Sequence, residues 1–342
     1  MRTIIADHII KKFSKDWFLW FDGKKPESIN YMTIFKSKKA LILFFADNSD
    51  EPFSIAKLAF VDGPVETLIK EHDNLQYLEH IMPDFYKKRV PQLFFKIKSE
   101  EGFALVFSHI KGKTLDAYIV SNKIDMNVKE NLKILNKSLQ CWEEFTLTSN
   151  KIYLTDEWIK DYIYSIENVF TKNFRRDILL LKEFNSLKDK ILKLSTENTA
   201  LGPVHGDFWK GNLIINDDSK ISMIDWEKSK KFGFPIFDIY LFLFTYLPDN
   251  IFMHSLLLPC EKLDEMNRFL RNILLQSIIK LSLNRLHAIF MLKLFLYEMC
   301  IQGPLYYGEP IRADNDWKNR LTFFFDNKNV IIDNLLNDFP VQ

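Results

Sequence analysis

Three short runs near the start of the chain carry the dense apolar pattern of strands: Tyr31–Lys36, Ala40–Phe45 and Phe53–Phe60. Polar turn material, Lys36-Ser-Lys-Lys39 and Asp47-Asn-Ser-Asp50, separates them, so the spacing predicts a three-stranded antiparallel meander. Pro64 to His80 then sets Val65, Leu68, Leu75 and Leu78 at helical spacing, and Pro91–Phe95 and Phe103–Phe107 read as two further strands. Five strands and one helix, preceded by an N-terminal helical segment, predict a compact first lobe over residues 1–110. Beyond Gly112 the period lengthens, and Leu115–Ser121, Met126–Leu147, Asp156–Thr171 and Arg175–Leu194 each carry periodic apolar residues with surface charges. Helical patterns resume from Phe237, with Pro248, Pro259, Pro304 and Pro310 expected as breakers. A second, mainly helical lobe over residues 111–342 follows, with one short strand-rich stretch, Leu213–Trp226, inside it. The fold class is therefore α+β, a small antiparallel sheet lobe followed by a large helical one.

Composition narrows the functional classes. The 342 residues are 47% hydrophobic and 27% charged, the balance of a globular protein with ample core material. Lys and Arg number 46 against 45 Asp and Glu, and no block of like charges occurs, so the basic stripe of a nucleic-acid binder is missing and no nucleic acid is expected as a partner. Cys141, Cys260 and Cys300 are far apart and odd in number, which supports neither a disulfide framework nor a zinc site and points to a reduced, cytoplasmic setting. The N-terminal residues are interrupted by Asp7, Lys11, Lys12, Lys15 and Asp16, unlike a signal peptide. Phe232–Leu247 and Ile278–Cys300 are also broken by charges, so no membrane span is expected and both read as buried helices. The 31 Phe residues read as core filling. Glycine is scarce, and four of the ten (Gly202, Gly206, Gly211, Gly233) crowd into one window.

That window reads Val204-His-Gly-Asp-Phe-Trp-Lys-Gly-Asn-Leu-Ile-Ile215, then Ile221-Ser-Met-Ile-Asp-Trp-Glu227. It predicts a loop, a hairpin turning at Asp217-Asp218, and a carboxylate at the second strand's end. Phosphoryl transfer from a nucleoside triphosphate requires such parts: a carboxylate to orient and deprotonate the attacking hydroxyl, and oxygen ligands for a Mg²⁺ that bridges phosphates. Asp207 suits the base, and Asn212 and Asp225 the metal ligands. Gly206-x4-Gly211 is not a P-loop, because Asn212 stands where the lysine should follow.

His205-Gly-Asp207-x4-Asn212 followed by Ile224-Asp-Trp-Glu227 resembles the catalytic loop and metal-binding motif of aminoglycoside phosphotransferases and choline kinase-like enzymes. The resemblance implies the bilobal protein-kinase-like fold and, with His-Gly-Asp in place of His-Arg-Asp, the branch that phosphorylates small molecules. Gly233-Phe-Pro-Ile-Phe-Asp238 resembles that family's next segment, in which an aspartate buttresses the catalytic loop from a buried helix. Ile55-Ala-Lys57 resembles the strand lysine that reaches the α- and β-phosphates, and Leu68-x-x-Glu71 the helix whose glutamate pairs with it, with Glu66 and Glu79 as alternatives on the same helix. Val106-Phe-Ser-His-Ile110-Lys-Gly112 resembles the hinge, which implies backbone contacts to an adenine near Ser108 and Ile110. The match covers residues 31–240. It departs at the loop Phe35-Lys-Ser-Lys-Lys39, which has no glycine; Lys36, Lys38 and Lys39 there are expected as a solvated basic tip more than as phosphate ligands. Lys210 is a weaker candidate to face the transferred phosphate. His205 is expected to be structural, and Glu227 either to support the metal ligands or to form a surface ion pair.

The resemblance implies ATP or GTP as donor, Mg²⁺ as cofactor, and a small-molecule hydroxyl as acceptor: a sugar, an amino alcohol or an aminoglycoside-like compound. Glu298, Tyr306, Tyr307, Glu309, Asp314, Asp316 and Trp317 are candidates to line its site, each more readily read, taken singly, as an ordinary core or surface residue of a helical lobe. Residues 239–342 hold 11 acidic and 10 basic residues, so no acidic bias marks a polycation site. A catalytically silent kinase-like binding protein is the alternative. A protein kinase is disfavoured because Asp238 follows Asp225 by only 13 positions, too few for a long activation segment. The oligomeric state is left open.

Overall fold

A computed structural model of the chain describes residues 4–21, 24–47, 49–122, 128–147, 152–153, 155–194, 200–248, 250–307 and 315–338. In chain order the elements are α1 (Ile4–Lys15), β1 (Ile29–Lys36), β2 (Lys39–Ala46), β3 (Ser54–Phe60), α2 (Val65–Ile81), α3 (Pro83–Arg89), β4 (Leu93–Ser99), β5 (Gly102–Ser108), β6 (Lys113–Thr114) and α4 (Leu115–Ser121). There follow α5 (Val128–Leu147), β7 (Ile152–Tyr153), α6 (Asp156–Phe174), α7 (Ile178–Leu194), β8 (Ala200–Val204), β9 (Leu213–Ile215), β10 (Ile221–Met223) and β11 (Lys230–Gly233). The remainder is α8 (Ile236–Tyr246), α9 (Ile251–Ser255), α10 (Glu265–Lys280), α11 (Arg285–Tyr307), α12 (Asp316–Asp326) and α13 (Lys328–Asp338). By packing the chain divides into two compact units, Met1–Tyr118 with Gly211–Lys231, and Ile119–Lys210 with Phe232–Gln342. The β9–β10 hairpin thus packs with the small unit, and the small unit runs past residue 110 to Tyr118.

The small unit is built on a five-stranded antiparallel sheet of order β1-β2-β3-β5-β4. Alternation decides its two faces. Ala40, Ile42 and Phe44 of β2, Ala56 and Leu58 of β3, and Ala104 and Val106 of β5 point to one side and form a core with Ile5, Ala6, Ile9 and Phe13 of α1. α1 is amphipathic, and its first amides are capped from the β4–β5 turn: Ile4 and Ile5 N–H donate to the Glu101 carboxylate at 3.0 and 2.8 Å. The intervening residues of β2 and β3, Lys39, Leu41, Ile55 and Lys57, project to the other side, where α2 packs against β3 and β5. A second sheet, β10-β9-β6, completes the unit. α3 was not expected from the periodicity; it is seven residues long, too short for a repeating apolar stripe, and starts with Pro83 at its first turn.

The larger unit is helical, with β7 and β8 pairing antiparallel through Ile152–Leu201 and Tyr153–Ala200. α8 is apolar almost throughout and buried, and α11 packs against α6, α7 and α12. Two expectations are corrected here. Pro304 does not end a helix, since α11 continues to Tyr307; proline in a last turn removes one hydrogen bond from a region where few remain. Pro310 lies outside the described residues. The stretch Ile278–Cys300, expected to be too interrupted for a membrane span, overlaps Arg285–Gly303, which is long and apolar enough by length and composition, and 72% of that segment is buried inside the protein, as in a core helix.

Candidate active site

Lys57 sits mid-way along β3, opposite Leu41 of β2 and Leu105 of β5, on the sheet face turned away from the α1 core. Its ammonium donates to Glu71 Oε1 of α2 at 2.6 Å and to Asp225 Oδ1 at 2.7 Å. Among the three glutamates that α2 offered, burial selects one. Glu71 stands on the buried stripe with Leu68, Leu75 and Leu78, whereas Glu66 and Glu79 are exposed. Burial works to lower the lysine's affinity for its proton, but the Glu71 and Asp225 carboxylates outweigh it and hold the ammonium well above its ordinary range. Burial pushes Glu71 upward, against the pull of Lys57.

Asp225 follows β10 with φ +66° and ψ +70°, the left-handed region that a β-carbon disfavours and that occurs where surrounding contacts force it. Those contacts come from α2. The Trp226 amide donates to Glu71 Oε1 at 3.1 Å, and Asn74 Nδ2 donates to the Ser229 carbonyl at 2.9 Å. Trp226 itself is buried, its indole N–H on the Met223 carbonyl at 3.2 Å. Glu71 Oε1 therefore serves two donors, the lysine and the amide just after Asp225, and fixes one relative to the other. Asn212 is buried at the start of the same hairpin, and its carbonyl accepts the Ile224 amide at 2.9 Å, placing it across from the residue before Asp225. Among the described residues no cluster of three His, Cys, Asp or Glu side chains could hold a metal by itself. An amide oxygen and a carboxylate, with substrate phosphates completing the sphere, is nevertheless the sort of hard, sparse donor set that suits Mg²⁺ and not zinc.

In the larger unit the loop after β8 is held by Asp238, the buried first-turn carboxylate of α8. Its two oxygens accept the His205 amide at 2.8 Å and the Gly206 amide at 2.9 Å. Gly206 has φ +75°, which a side chain would strain, and the turn it makes directs the chain to Asp207. His205 is fully buried, and its Nδ1 accepts the Asp207 amide at 3.3 Å. The Asp207 carbonyl accepts the Trp209 amide at 3.0 Å, and Phe208 is buried against Phe242 of α8. His205 is thus built into the loop's scaffold.

The other expected residues divide. The Ser108 amide donates to the Gln92 carbonyl and its hydroxyl accepts the Gln92 amide, both at 2.8 Å, so the Ser108 N–H is committed to the protein; Ile110, two residues on, is half-buried. Lys38 is tied to Asp62, and Lys39, expected at a solvated tip, instead donates to Glu227 Oε2 at 2.8 Å. Glu298 of α11 is buried and accepts the Tyr162 hydroxyl; Tyr162 stacks on Trp158 with centroids 5.0 Å apart, and Phe234 meets both rings edge-on at 5.6 Å. Trp158, Tyr162 and Phe234 were missed from the sequence because their aromatic types were too common to stand out. Trp317 packs on Phe244 and Phe295, and Asp316 pairs with Arg320. Glu309 and Asp314 lie outside the described residues, as do the side chains of Tyr306 and Tyr307.

No curated protein sequence matches the chain. Among solved structures, choline kinase LicA from Streptococcus pneumoniae shares 14% identity with a TM-score of 0.52, covering 98% of this chain and 100% of its own. The streptomycin–ATP–APH(2")-IIa ternary complex shares 15% identity with a TM-score of 0.52, over 95% and 98% of the two chains. The aminoglycoside phosphotransferase APH(3'')-Id from Streptomyces rimosus, in complex with ADP and streptomycin, shares 14% with a TM-score of 0.50, over 90% and 100%. At such identities the likeness is one of fold, the kinase-like α+β fold. The sequence profile described as the phosphotransferase enzyme family matches residues 54–254, a span that holds Lys57, Glu71, Asp207, Asn212, Asp225 and Asp238 and exceeds half of the 342 residues. The chain belongs to the phosphotransferase enzyme family.

Proposed function

We propose that this protein is a Mg²⁺-dependent small-molecule kinase that moves the γ-phosphoryl group of ATP or GTP to a hydroxyl. The observation that carries the reading is the Lys57–Glu71–Asp225 constellation, one ammonium held between two carboxylates on the α2 side of the sheet. A structural ion pair would satisfy the lysine with one partner. Two carboxylates on one ammonium, one of them on a strained residue, suit a site that expects more positive charge. Lys57, oriented by Glu71, would bind the α- and β-phosphates. Asn212 and Asp225 would hold Mg²⁺, which when bound neutralises phosphate charge as it develops. Asp207 would orient the acceptor hydroxyl and take its proton. The nucleotide base would meet the backbone around Ile110, since the Ser108 amide is already used.

For the acceptor, the Trp158–Tyr162 stack with Phe234 and the buried Glu298 carboxylate favours an alcohol that also bears an ammonium group. Aromatic faces attract a cation, and a nearby carboxylate reinforces this where water is scarce. Choline kinase LicA, one of the structures of similar fold, points the same way.

Calorimetry with ATP and GTP, with and without Mg²⁺, on wild type and Asp225→Ala tests the donor site. Metal-dependent binding that disappears in Asp225→Ala is expected. Failure of the wild type to bind either nucleotide would overturn the reading in favour of a silent kinase-like protein. With binding in hand, Asp207→Ala should lose turnover by about 10²–10⁴-fold while keeping nucleotide affinity.

A further inference from the structure

The small unit carries a second lysine on the Lys57 side of the sheet. β2 alternates so that Ala40, Ile42 and Phe44 enter the α1 core while Lys39 and Leu41 face the other way. In the β2–β3 register Lys39 lies opposite Ala59, and Leu41 opposite Lys57. Lys39 and Lys57 are therefore diagonal cross-strand neighbours, separated by about 7–8 Å at the backbone. The Lys39 side chain is 36% exposed, but its ammonium is not left to solvent alone. It is bound to Glu227, two residues beyond Asp225, at 2.8 Å, with the glutamate 16% exposed. Two ammoniums and three carboxylates thus share this face: Lys39 on Glu227, and Lys57 on Glu71 and Asp225.

The hairpin tip supplies the second half of the argument. The turn at Ser37 and Lys38 contains no glycine, and Ser37 adopts φ +54°. The tip is pinned to the connection after β3: Phe60 N–H donates to the Lys38 carbonyl at 3.1 Å, Lys38 Nζ donates to the Asp62 carbonyl at 2.9 Å, and a β-carbon on Gly63 would meet the Lys38 carbonyl at 2.5 Å. A tip fastened on that side has little freedom to fold its amides over a ligand. A long, flexible lysine rooted at its base has that freedom.

We infer that Lys39 is a phosphate-binding residue, stored on Glu227 in the absence of nucleotide and transferred to the terminal phosphates when nucleotide binds, in place of the amides a glycine-rich loop would supply. The inference rests on the reading of this face as the nucleotide site. Storage on Glu227 keeps both charges compensated before binding, and release exchanges one anionic partner for a more highly charged one.

The test is calorimetric titration of the full chain with Mg-ATP and with adenosine, using wild type, Lys39→Met, Lys39→Arg and Glu227→Gln, each checked for an unchanged melting temperature. Lys39→Met should weaken ATP by about tenfold and leave adenosine unaffected, and Lys39→Arg should recover most of the loss. Glu227→Gln should bind ATP at least as tightly as wild type, because the ammonium no longer has to leave a carboxylate. Equal weakening of ATP and adenosine, no weakening of either, or a loss in Glu227→Gln that copies Lys39→Met would each overturn the inference while leaving the site reading intact. A wild type that binds no nucleotide would overturn both.

Discussion

Glu71→Gln separates positioning from folding more sharply than any other change at this site. The substitution keeps the shape of the side chain and removes its charge. In the native protein that carboxylate is 2% exposed and accepts both Lys57 and the Trp226 amide through one oxygen. Losing a hydrogen bond to a charged group costs roughly 1.5–3 kcal/mol. Two features offset the loss. The glutamine avoids the desolvation of a buried carboxylate, which already pushes Glu71 upward, and Lys57 is 25% exposed and retains Asp225. The net destabilisation should therefore stay within about 1 kcal/mol, a fall in Tm of roughly 2–4 °C for a chain of this class. Activity should behave differently. On the proposed function, neutral Glu71 would leave Lys57 drawn wholly to Asp225, where it would compete with Mg²⁺ and leave the phosphates. Misplacement of about 1 Å can cost roughly 10²-fold in kcat/KM, and a loss of that order is expected. Differential scanning calorimetry and steady-state phosphotransfer on the same preparations supply both numbers. A Tm fall beyond about 10 °C, with activity tracking the folded fraction, would show that the contact is merely structural. Near-normal kcat/KM would show that Lys57 needs no orienting partner.

Asp238→Asn should destabilise the larger unit by about 2–4 kcal/mol, because the new amide group faces either the His205 or the Gly206 N–H as donor against donor; a Tm change below about 2 °C would refute this. The Lys57–Glu71 coupling free energy, taken from a double-mutant cycle, should be constant from pH 7 to 10. Folding raises the Lys57 pKa, so its contribution is complete below the unfolded value of 10.5 and is lost only as pH climbs through the higher folded value; a coupling that fades between pH 7 and 9 would contradict the geometry. Glu298→Gln should raise KM for an ammonium-bearing alcohol by about tenfold with little effect on nucleotide KM, and an equal effect on both substrates would remove Glu298 from the acceptor site.

The residues that were legible in advance are those whose partners lie close in sequence or whose spacing encodes geometry. The meander, α2 and the β9–β10 hairpin follow from period and turn chemistry, whereas Glu71 was left beside Glu66 and Glu79 on α2 and is singled out only by its burial in the fold. Asp207, Asn212 and Asp225 stand in a motif whose glycines mark it. Lys39 was misjudged because its partner is 188 positions away, and only the folded register brings them together. The bond from the Ser108 amide to the Gln92 carbonyl was not legible either, since Gln92 belongs to a bulged junction before β4 that carries no pattern of its own. Trp158, Tyr162 and Phe234 come from distant segments in a chain already rich in aromatic residues.

The placement of α1 has a consequence for biosynthesis. Its apolar stripe, Ile5, Ile9 and Phe13, is covered by strands that run as far as Val106, and its first amides are capped by Glu101. At typical translation speeds of roughly 5–20 residues per second, that stripe waits on the order of 5–20 seconds before the last of its partners has been synthesised. During that interval the nascent chain presents an amphipathic helix with nothing to cover it, a natural target for holdase chaperones. Slowing of translation before β5 should prolong that exposure, whereas slowing after β5 should not.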